Sequence, residues 1–247
     1  MMKKKNTTGG FGDTVRTVVF AILIAIVIRT FAYEPFRIPS GSMIPTLLIG
    51  DYLFVSKFSY GYSRYSFPFG VVPVEGRILG DAPQRGDVVV FKKPGDTSLD
   101  FIKRVVGLPG DRIQMINGRL HINGKVLDRE RVEDYVSREE NGGVKRVTQY
   151  IETLPNGVKH PILEGQGDQD ILDNTREFHV PEGHYFMMGD NRDNSDDSRA
   201  SVGFVPFENM VGRAEFIFFS HDGSAAIWEV WKWPSAIRWD RFFHPID

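Results

Sequence analysis

Asp100-Phe101-Ile102-Lys103-Arg104-Val105-Val106-Gly107-Leu108-Pro109-Gly110 is a β-strand with its stop attached. Phe, Ile and Val dominate the first part, and Gly-Leu-Pro-Gly breaks it. Strand alternation puts Phe101, Lys103 and Val105 on one face and Ile102, Arg104 and Val106 on the other. One of the two basic residues is therefore expected to point inward or into a cleft. A lysine free in water is neutral in only about 0.04% of molecules at pH 7. Desolvation among apolar neighbours lowers its pKa by up to about 3–5 units, which turns it into a usable general base. The plainer alternative is an edge lysine whose stem covers apolar surface while its ammonium stays wet.

Outward from this strand the chain keeps the same character. Residues 51–58, 86–93, 180–188 and 213–220 are short β-rich runs bounded by turn residues. Residues 113–122 hold Asn117-Gly118, a hairpin turn signal. No long helical period follows residue 33. Residues 60–80, rich in Tyr, Phe, Pro and Gly, are expected as an extended loop. Residues 125–175 turn polar and charged before apolar strands resume, as an insert would. The expected fold is mainly β. A tail (1–14) and one transmembrane helix (15–33) precede an antiparallel-sheet core built from 34–123 and 180–247, interrupted by a β-rich insert (124–179).

The N-terminus is basic at Lys3, Lys4, Lys5 and Arg16, and Val18 to Ile28 is uninterruptedly apolar. A bilayer core needs about 20 helical residues, which Val15 to Tyr33 supplies if Arg16 and Arg29 snorkel to opposite interfaces. An eleven-residue run also suits a cleavable leader, with Thr30 and Ala32 as small residues near a cut. In either case the lysines hold the N-terminus in the cytosol and the bulk is exported. All four tryptophans lie within 228–239, where they suit a membrane–water interface or packing on the β core.

The chain has 247 residues, 41% of them hydrophobic, enough for a substantial core. A net charge of -2 gives no sign of a nucleic-acid partner. The absence of cysteine excludes disulfides, cysteine zinc sites and a thiol nucleophile. There is no His-Glu-x-x-His, P-loop or Ser-x-x-Lys. Two further stretches stand out. Pro39-Ser40-Gly41-Ser42-Met43-Ile44-Pro45-Thr46-Leu47 sets Ser42 on a small-residue turn just beyond the apolar run, followed by residues able to wall a pocket. Residues 187–199 alternate acids and amides, but an EF-hand loop wants Gly at its sixth and Glu at its twelfth position. Counting from Asp190 gives Ser195 and Ser201, and from Asp193 gives Ser198 and Phe204. A hydrogen-bonded scaffold is the better expectation, with Arg192 and Arg199 available to Asp190, Asp193 or Asp197.

Three stretches in order resemble the boxes of bacterial type I signal peptidases: Glu34 to Leu47 their serine box, Lys103 to Asp111 their lysine box, and Gly189 to Arg199 their third box. The resemblance implies Ser42 as nucleophile and Lys103 as general base, with Ser195 hydrogen-bonded to the lysine amine. It assigns the oxyanion to the Ser42 N–H and the Ser40 hydroxyl, and a salt-bridge scaffold to Asp190, Asp197 and Arg199. Phe36, Ile38, Pro39, Met43, Leu47, Phe101 and Ile102 match positions lining shallow pockets for small residues, usually alanine. No metal or cofactor is implied. The implied partners are preprotein signal peptides and the lipid bilayer, close to the secretion translocon. The implied place is the bacterial inner membrane, single-pass, with the catalytic part on the periplasmic side. The serine box starts too soon after Tyr33 for a removable leader, which favours the anchor. A narrow-specificity serine–lysine membrane peptidase and a non-enzymatic, peptide-binding β-domain are the competing expectations.

Overall fold

A computed structural model describes residues 11–67, 76–138, 143–168, 170–226 and 228–246. The basic cluster at residues 3–5 and part of the expected 60–80 loop lie outside the described residues. The chain begins with α1 (Phe11–Phe31), then β1 (Tyr33–Arg37), β2 (Asp51–Ser56), β3 (Tyr62–Ser63), β4 (Arg77–Ile78), β5 (Val88–Lys93) and β6 (Asp96–Gly107). It continues through β7 (Arg112–Ile116), β8 (Arg119–Ile122), β9 (Lys125–Val126), β10 (Asp128–Arg131), β11 (Tyr135–Arg138), β12 (Val144–Thr153) and β13 (Lys159–Glu164). It closes with β14 (Phe178–His179), β15 (His184–Met188), β16 (Val205–Pro206), β17 (Met210–Ser220), the short α2 (Trp233–Ala236) and β18 (His244–Pro245).

Helix α1 has 21 residues and is apolar on every face; Thr30 is its buried residue. At 1.5 Å per residue it is roughly 31 Å long, about the thickness of a hydrocarbon core. Among the described residues it is the one helix long and apolar enough to cross a membrane. Arg29 at its end pairs with Glu34 at 2.9 Å, and Glu34 also meets the buried Lys57 at 2.8 Å. These contacts tie the helix exit to the first strands.

The largest sheet has the order β1-β2-β17-β5-β6-β15-β16, with β18 beside β17, and its named pairs are antiparallel. Strand β5 shows why it is stable. Val88 and Val90 join one core cluster with Leu53, Val55 and Ile217, while Val89 and Phe91 join another with Val105 and Met187. Both faces are covered, so the strand reads as a continuous apolar run. The same covering explains a departure from expectation on β6: Lys103 and Arg104, on opposite faces, are both buried.

The polar stretch after residue 124 forms strands too. β10, β11 and β13 all pair with β12, and β14-β7-β8-β9 make a separate sheet. The hairpin of β7 and β8 turns at Asn117 and Gly118, both at positive φ, as its sequence requires. A third apolar cluster joins Val106, Phe186 and Met188 of the large sheet to Ile113, Met115, Leu120 and Leu154. The short strands β9, β10 and β11 carry few apolar residues, which is why this region gives little strand signal in sequence.

Gly212 on β17 lies where the register shifts against β5. A Cβ there would stand 2.3 Å from the Ser56 carbonyl oxygen and 2.8 Å from Val55 Cγ1. Gly212→Ala is expected to lower stability by about 1–3 kcal/mol, measured by urea unfolding of the detergent-solubilised protein.

Candidate active site

Ser42 sits in the loop between β1 and β2. The loop is closed at its base by Ile38 N–H donating to Asp51 O and Gly50 N–H donating to Ile38 O. Met43 and Leu47 anchor it by burying completely in the core with Ile38. The loop is also held from the far end of the sequence. Asn191 donates through its backbone N–H to Ser42 O (3.1 Å) and through its amide to Gly41 O (3.0 Å). Arg241 donates to Thr46 O and pairs with the buried Asp51 at 2.6 Å.

Lys103 comes from β6, opposite Val89 of β5. Its Nζ lies 2.6 Å from Ser42 Oγ and 2.9 Å from Ile102 O. Residues 61 positions apart thus meet as a serine hydroxyl and a lysine amine that is only 3% exposed. Burial pushes the lysine pKa from 10.5 down to about 8, against the upward pull of Asp197, Asp196 and Asp190.

The 187–199 stretch follows β15. Asp197 and Arg199 form a buried bidentate pair at 3.0 and 2.9 Å; Asp197 also accepts from Gly189 N–H, and Arg199 donates to Arg192 O. Asp190, the third residue of the expected scaffold, pairs outside the stretch. Its partner is Arg104 of β6, through two 2.9 Å bonds, with Thr46 Oγ1 at 2.5 Å. Burial pushes the Asp190 carboxyl up, but Arg104 and His160 hold it well below the usual carboxylate range. Arg192 pairs with Glu152 of β12 rather than with a nearby acid. His160 of β13 lies between Glu152 and Asp190, 3.4 and 3.3 Å away.

Ser195 is buried close to Ser42: a Cβ on Gly189 would stand 2.2 Å from Ser195 Oγ and 2.5 Å from Ser42 O. Its hydroxyl has no hydrogen-bond partner among the described residues, so the expected bond to the Lys103 amine is not made here. Ser40 and Pro39 are exposed beside the loop. Ile38, Met43 and Leu47 are wholly covered, whereas Phe36 and Ile102 pack partly exposed on their cluster. Phe101 places its ring 5.4 Å from Lys103 Nζ. Thr46, Glu152, His160, Asn191 and Arg241 were given no role from sequence, and Arg104 only a face of its strand. Arg104 carried a usable signal, because a strand apolar on both faces buries both of its basic residues. Glu152, His160 and Arg241 carry none, since their partners lie far along the chain.

Arg104→Ala would leave Asp190 buried without its cation. Breaking such a pair costs about 3–5 kcal/mol. The variant is expected to lose stability on that scale in urea unfolding.

Residues 11–219 match the family described as "Signal peptidase, peptidase S26". The signal peptidase I of Rickettsia typhi (strain ATCC VR-144 / Wilmington) is 48% identical over 209 residues, covering 81% of this chain and 77% of its own. That of Rickettsia massiliae (strain Mtu5) is 46% identical over 230 residues, covering 89% and 85%. A signal peptidase I of solved structure, from Enterococcus faecalis V583, is 31% identical and covers 54% of this chain and 97% of its own, with a TM-score of 0.33. With a family match over most of its length and relatives this similar across both chains, the chain belongs to the signal peptidase family, peptidase S26.

Proposed function

We propose that the protein is a membrane-anchored serine endopeptidase that removes N-terminal signal peptides from exported preproteins. The observation that carries the mechanism is the 2.6 Å contact between Ser42 Oγ and a buried Lys103 amine whose pKa is lowered to about 8. At pH 7 roughly one lysine in ten is then neutral, far more than for a lysine in water. Neutral Lys103 takes the Ser42 proton as the oxygen attacks the scissile carbonyl. The resulting ammonium returns that proton to the leaving amine, and an ester on Ser42 remains. Lys103 next deprotonates a water, which hydrolyses the ester. The Ser42 N–H and the Ser40 hydroxyl are suited to hold the oxyanion; one such donor typically contributes about 2.7–4 kcal/mol. Ser195 completes the site by turning its free hydroxyl to the lysine when substrate is bound. Asp190, Asp197 and Arg199 hold the supporting loop.

The preprotein would lie extended beside β6, with backbone bonds giving affinity. A groove of about 760 Å³ runs from Ile26 and Arg29 of α1 past Phe36 to Asp100, and offers a path from the helix to this strand. Phe36, Pro39, Phe101 and Ile102 would face the peptide, backed by Ile38, Met43 and Leu47, and would favour small residues in an Ala-x-Ala pattern. The core of 34–123 and 180–247 would act on the outer side of the bacterial inner membrane, near the translocon, with α1 as a single span and the N-terminus in the cytosol. Residues 124–179 would be the variable insert.

The first test is incubation of the solubilised protein with a secretory precursor carrying an Ala-x-Ala site. Cleavage after the second alanine is expected, with loss of at least about 10⁴-fold in Ser42→Ala. A Ser42→Ala protein that cleaves at the wild-type rate would sink the proposed nucleophile. The pH profile tests the base. The active form is the deprotonated amine, so kcat/KM is expected to rise with pH to half its plateau near pH 8. A profile flat from about pH 6 to 10 is incompatible with Lys103 as base.

A further inference from the structure

Away from the serine and lysine, three carboxylates converge inside the protein. Glu164 ends β13, Asp173 lies in the loop after it, and Asp193 belongs to the turn just before Ser195. One ligand oxygen of each lies within 4.8 Å of the others. Glu164 is 2% exposed and Asp173 0%. Asp193 Oδ2 accepts Gln166 N–H and Asp173 Oδ2 accepts Asp170 N–H, both at 2.7 Å. The remaining oxygens, Asp193 Oδ1, Asp173 Oδ1 and both of Glu164, have no hydrogen-bond partner among the described residues.

Local positive charge does not settle this balance. Arg129 Nη1 stands 3.7 Å from Glu164 Oε1, but the same guanidinium donates to Gly118 O and is gripped through Nη2 by both oxygens of Asp168. Arg104, Arg192 and Arg199 are matched to Asp190, Glu152 and Asp197. Asp173 and Asp193 have no ion pair among the described residues, Glu164 has only the long contact to a guanidinium shared with Asp168, and Glu164 and Asp173 are buried. Buried carboxylates are ordinarily paired or coordinate a metal.

We propose that Glu164, Asp173 and Asp193 bind a divalent cation of calcium type. A hard cation takes carboxylate oxygens, and calcium–oxygen distances of about 2.3–2.6 Å let two ligands stand up to about 5 Å apart. The ion joins the end of β13, the loop after it and the turn leading to Ser195. Its ligands come from three separate stretches, which is why no contiguous calcium loop is visible in the sequence. The site lies outside the peptidase chemistry proposed above and does not depend on it.

The test uses the full chain in detergent, stripped with EDTA, dialysed and titrated with CaCl2 by isothermal calorimetry and thermal unfolding. One calcium per chain and a Tm rising with calcium concentration are expected. Glu164→Gln and Asp173→Asn, which keep shape and remove charge, are each expected to weaken binding at least about tenfold. Asp193→Asn serves as a third variant if either fails to fold. No heat and no Tm shift up to about 10 mM CaCl2 would overturn the proposal, because the weakest calcium modules bind near about 1 mM. Calcium binding left unchanged in the folded variants would overturn it as well.

Discussion

The pair between Arg104 and Asp190 holds the site together. Asp190 receives Arg104 from β6 and Thr46 from the serine loop, and faces His160 from β13. One carboxylate thereby registers the strand bearing Lys103, the loop bearing Ser42 and the stretch bearing Ser195. Both partners are essentially unexposed, at 0% and 1%. A buried ion pair is weak evidence for added stability, since desolvation consumes most of the Coulombic gain. Its evident contribution here is geometric. Two guanidinium bonds of fixed direction orient β6 against Asp190, which in turn accepts Thr46 of the loop that carries Ser42.

The same pairs shape the electrostatics of the lysine. A general base near neutral pH must be dry, yet Asp197, Asp196 and Asp190 all act to keep Lys103 protonated. Two of those acids are buried beside their own arginines, Arg199 and Arg104. Each arginine cancels much of the field its acid would exert, so burial prevails and the amine is held near 8. The scaffold is thus electrostatic as well as mechanical. A lysine kept in this state is a local destabilisation that the surrounding core sustains, as functional sites commonly require.

Tryptophan exposure is informative in the same physical terms. Trp228, Trp231 and Trp239 are 74%, 70% and 60% exposed, so these three rings do not pack into the β core. The segment is nevertheless tied down through Arg238 and Arg241, which reach Ile49 O and Asp51 at the base of the serine loop.

The sequence alone determined the elements whose cause is local. Short apolar, β-rich runs bounded by turn residues specify β2, β5, β6 and β17; Asn117-Gly118 specifies one hairpin; an all-round apolar run specifies α1. The serine turn, the lysine strand and the acidic loop were legible because each is a contiguous stretch with its own chemistry. Only the tertiary structure decided which groups meet. That both Lys103 and Arg104 are buried depends on layers covering both faces of β6. That Asp190 pairs with Arg104, and Arg192 with Glu152, depends on contacts across 86 and 40 positions. Charges choose partners by distance in space within a low-dielectric interior, and chain spacing carries no record of that distance.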